Sequence, residues 1–457
     1  MRSLFVLALV FSWLPAIAMW PYLGVLAWMW ISYMNPHRLT DGLAYDFPVA
    51  EVIAIATLLA WVFSRERKDL PMRPVVILII LYTLYTTLTS VTALNQPLAW
   101  EKWQLFVKVI LFTLIAIPLM NSKVRLHAMI WVMVISCGYF AARGGLFTAI
   151  TMGAYRVFGP PGTFHGDNNG IGVTFLMILP LIRYLQLQTD NRFAWLFLLA
   201  AQVLTLLAIF GTQSRGAVVG LTAMAFYMLA RSRRIGTMIT IGLVAVLAYQ
   251  FMPASMKQRQ ESTFDYQSDA SAQGRLTMWK FAIDVANERP IIGGGFNVFY
   301  DNPTRDRLLP RNDKGQVEQG RAAHSIYFEV LGEHGYVGLL LYLMTGIWGF
   351  FSAERTAQRA KRRPDTKWAA DLGRAVQLGL IGFAVGGAFL SKATFDLYYH
   401  LLAVVVIADL LVTKALKEPA PEVVPPGDPI LAYFFKPRAQ SFRPGPATGG
   451  RDFRRKA

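Results

Sequence analysis

Long apolar runs separated by short polar connections dominate this chain. Many of the runs approach the roughly 20 apolar residues that a helix needs to cross a membrane, whereas the strands of a membrane barrel would appear as short alternating segments. The pattern therefore predicts an all-α, polytopic integral membrane protein with about twelve transmembrane helices. The predicted runs cover 3–34, 48–64, 74–94, 101–120, 126–142, 169–187, 193–210, 215–230, 235–252, 326–352, 373–390 and 395–414.

The orientation of these helices follows from the basic loops, which remain on the cytoplasmic side of a membrane. Pro15 and Pro21 interrupt the first run, which is too long for one straight crossing. Counting back from the first basic loop, one broken span over 3–34 would put both termini in the cytoplasm. Two separate spans over 3–34 would instead leave the N-terminus outside. The basic loops are 65–68, 123–125, 231–234 and 354–374.

Composition excludes several classes of protein. Of the 457 residues, 54% are hydrophobic and 16% are charged, against about 25% charged residues in a soluble domain. An ordinary soluble enzyme, a coiled coil and a disordered chain are therefore excluded. The net charge of +17 is explained by cationic loops and contact with membrane lipids rather than by nucleic acid. The single cysteine, Cys137, lies in an apolar run and excludes a disulfide framework or a cysteine-based zinc site.

The chain divides into four regions by polarity. Residues 1–252 are predicted to form N-terminal membrane helices, and 326–414 are predicted to form C-terminal ones. Between them, 253–325 is a long outer loop with ten Lys/Arg and nine Asp/Glu, so the positive-inside rule does not account for its arginines. The tail 415–457 is rich in Pro, Gly and Arg and is predicted to be a disordered cytoplasmic segment.

The long outer loop is predicted to be helical and functional, since it exceeds an ordinary connection. Gly274 to Arg289 has helical periodicity, with an apolar stripe of Leu276, Trp279, Ile283 and Ala286. We expect this helix to lie at the membrane–water boundary, or to pack on the protein, with Arg275 at its start. The glycine run 293–295 that follows is typical either of close backbone approach to a ligand or of a plain turn.

Polar residues collect where the chain is predicted to meet the outer membrane face. His324 precedes a span, and Glu329, Glu333 and His334 continue into it. Because polar groups inside a span are costly, such a cluster indicates a functional site or a hydrogen-bonded structural one. Further polar residues on this side are Arg143, Arg156, Asp167, Asn168, Arg215 and Arg321.

Three of these features together resemble the O-antigen ligase family, which shares a core with O-antigen polymerases. They are the segment Gln213-Ser214-Arg215-Gly216, the Gly274-Arg275 pair in a long outer loop, and the stretch from His324-Ser325 through Gly332-Glu333 to Gly338. Residues 159–169 also resemble the exosortase-associated O-glycosylation ligase subgroup. Ser325 departs from the family, where asparagine often follows the histidine.

The resemblance implies a bacterial inner-membrane glycosyltransferase with a periplasmic active site and a fold like that of C-type glycosyltransferases. Its donor would be a glycan on undecaprenyl pyrophosphate, and its acceptor the lipid A-core oligosaccharide of lipopolysaccharide. The family is regarded as metal-independent, so neither a metal nor another cofactor is expected.

The chemistry of this transfer assigns roles to the polar residues as a hypothesis. A neutral imidazole suits a general base, and we assign that role to His324. Arginines can hold a leaving pyrophosphate by bidentate contacts, and we assign that role to Arg215 and Arg275. Direct displacement would invert the anomeric carbon. Secondary candidates for substrate binding are Arg143, Arg156, Arg321, Glu329, Asp167 and Asn168, with Glu329 orienting His324.

Four alternatives remain at this point. An O-antigen polymerase would use a second lipid-linked glycan as acceptor, and a protein O-glycosylation ligase would use a protein. A transporter of lipid-linked glycan would place polar groups near the midplane, where Lys108, Lys392 and Asp409 are the charges inside or near spans. A structural membrane scaffold would give no reason for the arginine and histidine set.

Overall fold

A computed structural model describes residues 2–163, 165–231, 270–311 and 322–419. Over these ranges the regular structure is helical, and eight helices are long and apolar enough to cross a membrane. The prediction of an all-α polytopic membrane protein is therefore confirmed. The helices are α1 (Arg2–Ser12), α2 (Leu14–Met19), α3 (Pro21–Met34), α4 (Leu43–Asp46), α5 (Val49–Phe63), α6 (Pro74–Val91), α7 (Gln96–Leu119), α8 (Lys123–Ile150), α9 (Asn168–Leu187), α10 (Arg192–Gly211), α11 (Arg215–Arg231), α12 (Ala270–Glu288), α13 (Asn302–Leu308), α14 (Ile326–Ala360), α15 (Lys367–Gly386) and α16 (Asp396–Lys417).

Each of the eight candidate spans overlaps one of the predicted runs, and most of them extend beyond it at one or both ends. Two shorter apolar helices, Ser3–Met19 and Val49–Phe63, add to them. The predicted span 235–252 lies outside the described residues, as does the predicted disordered tail from residue 420 onwards. The number of crossings, predicted to be about twelve, is therefore tested only over part of the chain.

The helices alternate between two ends of the bundle. At the end that we call the basic end, Arg125 forms an ion pair of 2.8 Å with Glu66, joining the start of α8 to the connection after α5. At the opposite end, which we call the site end, Leu94 N donates to Gly294 O over 2.9 Å. Val157 N likewise donates to Gly211 O at the site end. The basic connections therefore gather at one end and the candidate site residues at the other, as the charge pattern predicts.

The first apolar run differs from the predicted single broken span. Ser3 Oγ accepts from Ala44 N at 2.7 Å, which puts the start of the chain at the site end. Tyr22 lies at the basic end, where Arg125 stacks 4.2 Å above its ring. Residues 2–34 therefore pass through the bundle twice, because the chain turns at Trp20, where the backbone is non-helical and Pro21 begins α3. The start of α1 and the end of α16 therefore lie at opposite ends of the bundle, as the alternative of two separate spans over 3–34 would require. The C-terminus itself lies outside the described residues, so the prediction that both termini share one side stays a prediction.

Two of the three charges noted inside or near spans are partners in ion pairs. Lys108 Nζ lies 2.7 Å from Glu51 Oε1. Asp409 lies between Arg73, at 3.3 Å, and Arg359, at 2.5 Å, and so ties α16 to the segment preceding α6 and to α14. These contacts give both charges a structural role and weaken the transporter alternative.

Helix α12 buries only part of the predicted stripe, since Ala286 is 0% exposed. Met278, Phe281 and Val285 are 1% exposed and pack against Val298 and Phe299. The predicted members Leu276 and Ile283 are 39% and 37% exposed.

Trp279 packs on the protein rather than on lipid headgroups. Its Nε1 donates to Ala323 O over 2.8 Å, and its indole stacks on Phe328 with ring centroids 4.7 Å apart. The contact joins α12 to the segment that carries His324 and to the first turns of α14. Of the two predicted placements, packing on the protein is therefore the one observed for this side chain.

A break in α14 explains the glycine run before it. Gly335 has φ 68° and ψ −169°, which interrupts the helical hydrogen bonds. The amides of Gly294 and Gly295 donate to the carbonyls of Gly332 and Glu333 at 2.9 and 2.8 Å. A Cβ on Gly335 would lie 2.6 Å from Pro290 O, so only glycine fits there. The glycine run therefore serves the helix break.

Candidate functional site

His324 lies at the site end, immediately before α14. Its φ of 47° is in the left-handed region, which is uncommon for residues other than glycine, although histidine is enriched there. The amide of His324 donates to Ser391 Oγ at 2.7 Å, which anchors this backbone to the connection between α15 and α16. The side chain is exposed, so the fold holds the backbone while the imidazole stays accessible to a ligand.

The surroundings of His324 favour its neutral form. Partial burial lowers the pKa of His324 below its usual value of 6.5, and the nearby positive charge of Arg275 lowers it further. Asp167 and Glu329 act in the opposite direction but with smaller effect. The fold thus brings Arg275, Asp167 and Glu329 into electrostatic reach of His324, although they lie far apart in the sequence.

A buried ion-pair network lies beside His324, centred on Lys102 of α7. Lys102 Nζ is 2.7 Å from Glu329 Oε1 and 2.7 Å from Glu333 Oε1. Glu329 and Glu333 are 6% and 2% exposed. Such a network requires every charge to be paired, because an isolated buried charge is strongly unfavourable.

The network also holds the backbone around His324. Glu329 Oε2 accepts from the amide of Ala393 at 2.9 Å, two residues from the serine that binds the His324 amide. Glu333 Oε1 accepts from the amide of Asn297 at 2.9 Å. The carboxylate of Glu329 therefore contacts Lys102 and Ala393, so the described link from Glu329 to His324 runs through residues 391–393.

A polar cavity of about 250 Å³ opens beside this network. Ala322, Ala323 and Ser391 form part of its wall and adjoin His324 in sequence or by hydrogen bond. Lys392 also lines the cavity, and burial lowers the pKa of this ammonium group. The remaining lining residues are Glu101, Lys102, Leu105, Asn297, Phe299, Tyr300, Glu329, Glu333 and Thr394.

The start of α11, where Arg215 lies, is built from the turn 212–214. Asn168 Nδ2 donates to Thr212 O at 2.9 Å. Ser214 Oγ donates to Asn169 Oδ1 at 2.7 Å. Arg156 Nε donates to Gln213 Oε1 at 3.3 Å. The turn therefore gathers Arg156 and Asn168 next to Arg215.

The same helix start packs close to the anchor of His324. A Cβ built on Gly216 would lie 3.1 Å from Phe389 Cβ, and Phe389 is two residues before Ser391. A Cβ on Gly387 would lie 2.8 Å from the side chain of Ile326. The segment 387–391 thus lies between the start of α11 and the start of α14, which brings Arg215 and His324 to opposite sides of one short connection.

The remaining predicted residues are Asp167, Arg143 and Arg321. Asp167 caps α9, where its Oδ1 accepts from the amides of Asn169 and Gly170 at 3.0 and 2.8 Å. Arg143 is exposed on α8 and stacks over Tyr139 of the same helix at 5.7 Å, so no described contact joins it to the His324 region. Arg321 lies outside the described residues.

Some residues of this region were missed by sequence reasoning. Lys102 and Ser391 were not predicted at all, and Lys392 was considered only as a charge near a span. Glu333 was noted in the polar stretch without a role. Within the described ranges, no three His, Cys, Asp or Glu side chains gather as metal ligands would.

Comparison with known families supports a function for this region. Residues 200–343 match a family model described as O-antigen ligase, a range that includes Arg215, Arg275 and His324. Residues 1–190 match a model described as a family of unknown function (DUF5935). No curated protein matches the chain. The first match covers about a third of the chain and shows that residues 200–343 are similar to the O-antigen ligase family. It supports a function of the O-antigen ligase or polymerase type in a multi-pass membrane protein.

Proposed function

We propose that this protein transfers O-antigen glycan from undecaprenyl pyrophosphate to the lipid A-core oligosaccharide, at the periplasmic face of the bacterial inner membrane. His324 is the general base, and Arg215 and Arg275 hold the pyrophosphate. Arg156, Asp167 and Asn168 support the site from the neighbouring turns. The basic connections at the opposite end of the bundle support the periplasmic placement, because cationic loops remain in the cytoplasm.

The observation that carries this proposal is an accessible imidazole whose backbone is anchored to Ser391 at the site end of the bundle, with Arg275 in its electrostatic surroundings. His324 is exposed, and the charge of Arg275 acts on it. A base near a fixed positive charge suits a reaction in which a hydroxyl loses a proton while an anion departs.

The proposed reaction balances as a single displacement. The acceptor hydroxyl oxygen attacks the anomeric carbon of the donor and forms the new glycosidic bond, while its proton passes to the His324 imidazole. The bond between the anomeric carbon and the pyrophosphate oxygen breaks, and the leaving group keeps the electron pair. The two arginines stabilise the negative charge that develops on it. The configuration at the anomeric carbon is inverted.

Reconstitution of the purified protein with defined lipids tests this function. Transfer of glycan from undecaprenyl pyrophosphate to lipid A-core would support the ligase proposal. Growth of lipid-linked chains in the absence of lipid A-core would favour the polymerase, and transfer to a protein acceptor would favour the O-glycosylation ligase. No transfer to any of these acceptors would overturn the proposal.

Replacing either arginine with lysine is expected to lower kcat/KM for transfer by about tenfold or more, because lysine cannot make the bidentate phosphate contact. The variants are Arg215→Lys and Arg275→Lys. Arg307→Lys is the matched control, since Arg307 is exposed at the surface and pairs with Glu288. Wild-type kinetics in both test variants would show that bidentate binding of phosphate is not required.

The pH dependence of kcat/KM should reflect His324. Only the neutral imidazole accepts a proton, so activity falls as the pH drops through the pKa of His324. Burial and Arg275 lower this pKa below 6.5, so the acidic limb should lie below 6.5 and activity at pH 7 should be near its plateau. Arg275→Gln removes a positive charge and should move the limb to higher pH, whereas Arg307→Gln should not. An acidic limb at the same pH in Arg275→Gln would contradict the electrostatic coupling.

A further inference from the structure

We propose that the polar cavity beside His324 binds a sugar ring of the acceptor glycan, an inference that rests on the glycan transfer proposed above. The cavity, of about 250 Å³, lies between the start of α7, the start of α14 and the segments 297–300 and 391–394. Three properties of the cavity support this proposal: the chemistry of the cavity wall, the charge of the cavity and its position relative to His324.

The wall offers the groups that recognise sugar hydroxyls. Tyr300 and Thr394 contribute hydroxyl groups, and Glu101 contributes an exposed carboxylate. Ser391 accepts a hydrogen bond from the His324 amide through its oxygen, and its own hydroxyl hydrogen can serve a different acceptor. Tyr300 is 49% exposed, so its ring also provides an apolar surface against which the C–H face of a sugar can pack.

The charge balance of the cavity opposes binding of pyrophosphate. Among the described residues, its wall contains two lysines and three glutamates, a formal charge of −1. The ammonium group of Lys102 is already bound by Glu329 and Glu333. The described residues that line the cavity include no arginine, so the proposed pyrophosphate contacts of Arg215 and Arg275 belong to another part of the site. A neutral group rich in hydroxyls suits this cavity better than an anion.

The position of the cavity indicates which sugar it takes. A general base must come within hydrogen-bond reach of the hydroxyl that it deprotonates, and that hydroxyl belongs to the acceptor. Ala323 and Ser391 line the cavity and are directly connected to His324, one by a peptide bond and the other by a hydrogen bond. His324 itself does not line the cavity, so a sugar bound there would lie beside the backbone of residues 322–323, and the acceptor hydroxyl that reaches the imidazole would lie at the edge of the cavity or on the adjoining sugar.

Binding measurements on the purified full-length protein in nanodiscs test this inference without requiring turnover. The acceptor probe is core oligosaccharide released from lipopolysaccharide, and the donor probe is a sugar linked to farnesyl pyrophosphate. Tyr300→Ala and Thr394→Val should each raise the Kd for the oligosaccharide about five- to tenfold, as expected for the loss of one or two contacts. Both variants should leave the Kd for the donor probe within twofold. Tyr45→Ala, at an exposed tyrosine of α4, is the control and should change neither value.

Each other result overturns the inference. Weaker binding of the donor probe would assign the cavity to the donor, and unchanged binding of both probes would leave the cavity without a sugar. Failure of the wild-type protein to bind the oligosaccharide would also exclude it. Failure of the proposed function can be distinguished from failure of this inference. A wild-type protein that binds the oligosaccharide through this cavity but transfers no glycan would support the sugar site and contradict the proposed reaction.

Discussion

Replacement of His324 by alanine is expected to lower the rate of glycan transfer by about 10²- to 10⁴-fold, the range typical for removal of a general base. The loss should appear in kcat, because the base acts in the transition state, whereas KM for the donor should change little. The measurement is steady-state transfer in proteoliposomes. The variant should fold normally, since the amide of residue 324 still donates to Ser391.

His37→Ala is the matched control for this variant. His37 lies in the connection between α3 and α4, at the site end of the bundle and outside the candidate site. It should retain wild-type kcat. Wild-type transfer by His324→Ala would show that His324 is not the general base and that another group accepts the proton. Loss of activity in both variants would indicate a general effect on folding.

Lys102→Met is expected to destabilise the protein by about 3–5 kcal/mol, because it leaves buried carboxylates without their cation. Glu329 and Glu333 both depend on Lys102 for charge pairing. Thermal unfolding in detergent measures the effect as a drop in midpoint. Activity should fall with it, since Glu329 also holds the amide of Ala393 beside the anchor of His324.

The control for Lys102→Met lies on the same helix. Lys108 pairs with Glu51, and both side chains are nearly half exposed on the outside of the bundle, so Lys108→Met should lower the midpoint less than Lys102→Met does. A second control removes the unpaired carboxylates. Adding Glu329→Gln and Glu333→Gln to Lys102→Met should restore much of the unfolding midpoint that Lys102→Met alone loses. Equal midpoints for the two single lysine variants would show that the buried network contributes nothing to stability.

Much of the membrane fold could be predicted because hydrophobic length is a strong local signal. The number of crossings at the N-terminus could not, because Pro15 and Pro21 are compatible both with a kink and with a complete reversal. The basic loops constrain only the later helices. The reversal at Trp20 depends on contacts between residues 3 and 44 and between 22 and 125, which periodicity does not contain.

The buried face of α12 shows a similar limit. The stripe through Leu276 and Ile283 and the face through Phe281 and Val285 both repeat at helical spacing. Which of them is buried depends on the partner surface, here Val298 and Phe299. Periodicity alone therefore predicted the helix and part of its buried face, since Ala286 is 0% exposed and Trp279 packs on Phe328.

The candidate site was predictable only where chemistry is visible in one residue. His324 and Arg275 stand out as charged or titratable groups at a predicted membrane boundary. Lys102 does not stand out, because it sits in the first turns of an apolar helix and its partner Glu329 is 227 residues away. Ser391 acts through a hydroxyl oxygen that binds a backbone amide, a role that no residue type reveals in advance.

The break in α14 at Gly335 limits where the chain can be cut and recombined with a related chain. The carbonyls of Gly332 and Glu333 obtain their hydrogen bonds from Gly294 and Gly295, and a membrane interior supplies no water to replace them. Residues 289–295 and 332–336 therefore depend on each other for their backbone hydrogen bonds. A chimaera that takes its outer loop from one parent and its membrane helices from another must carry both segments together.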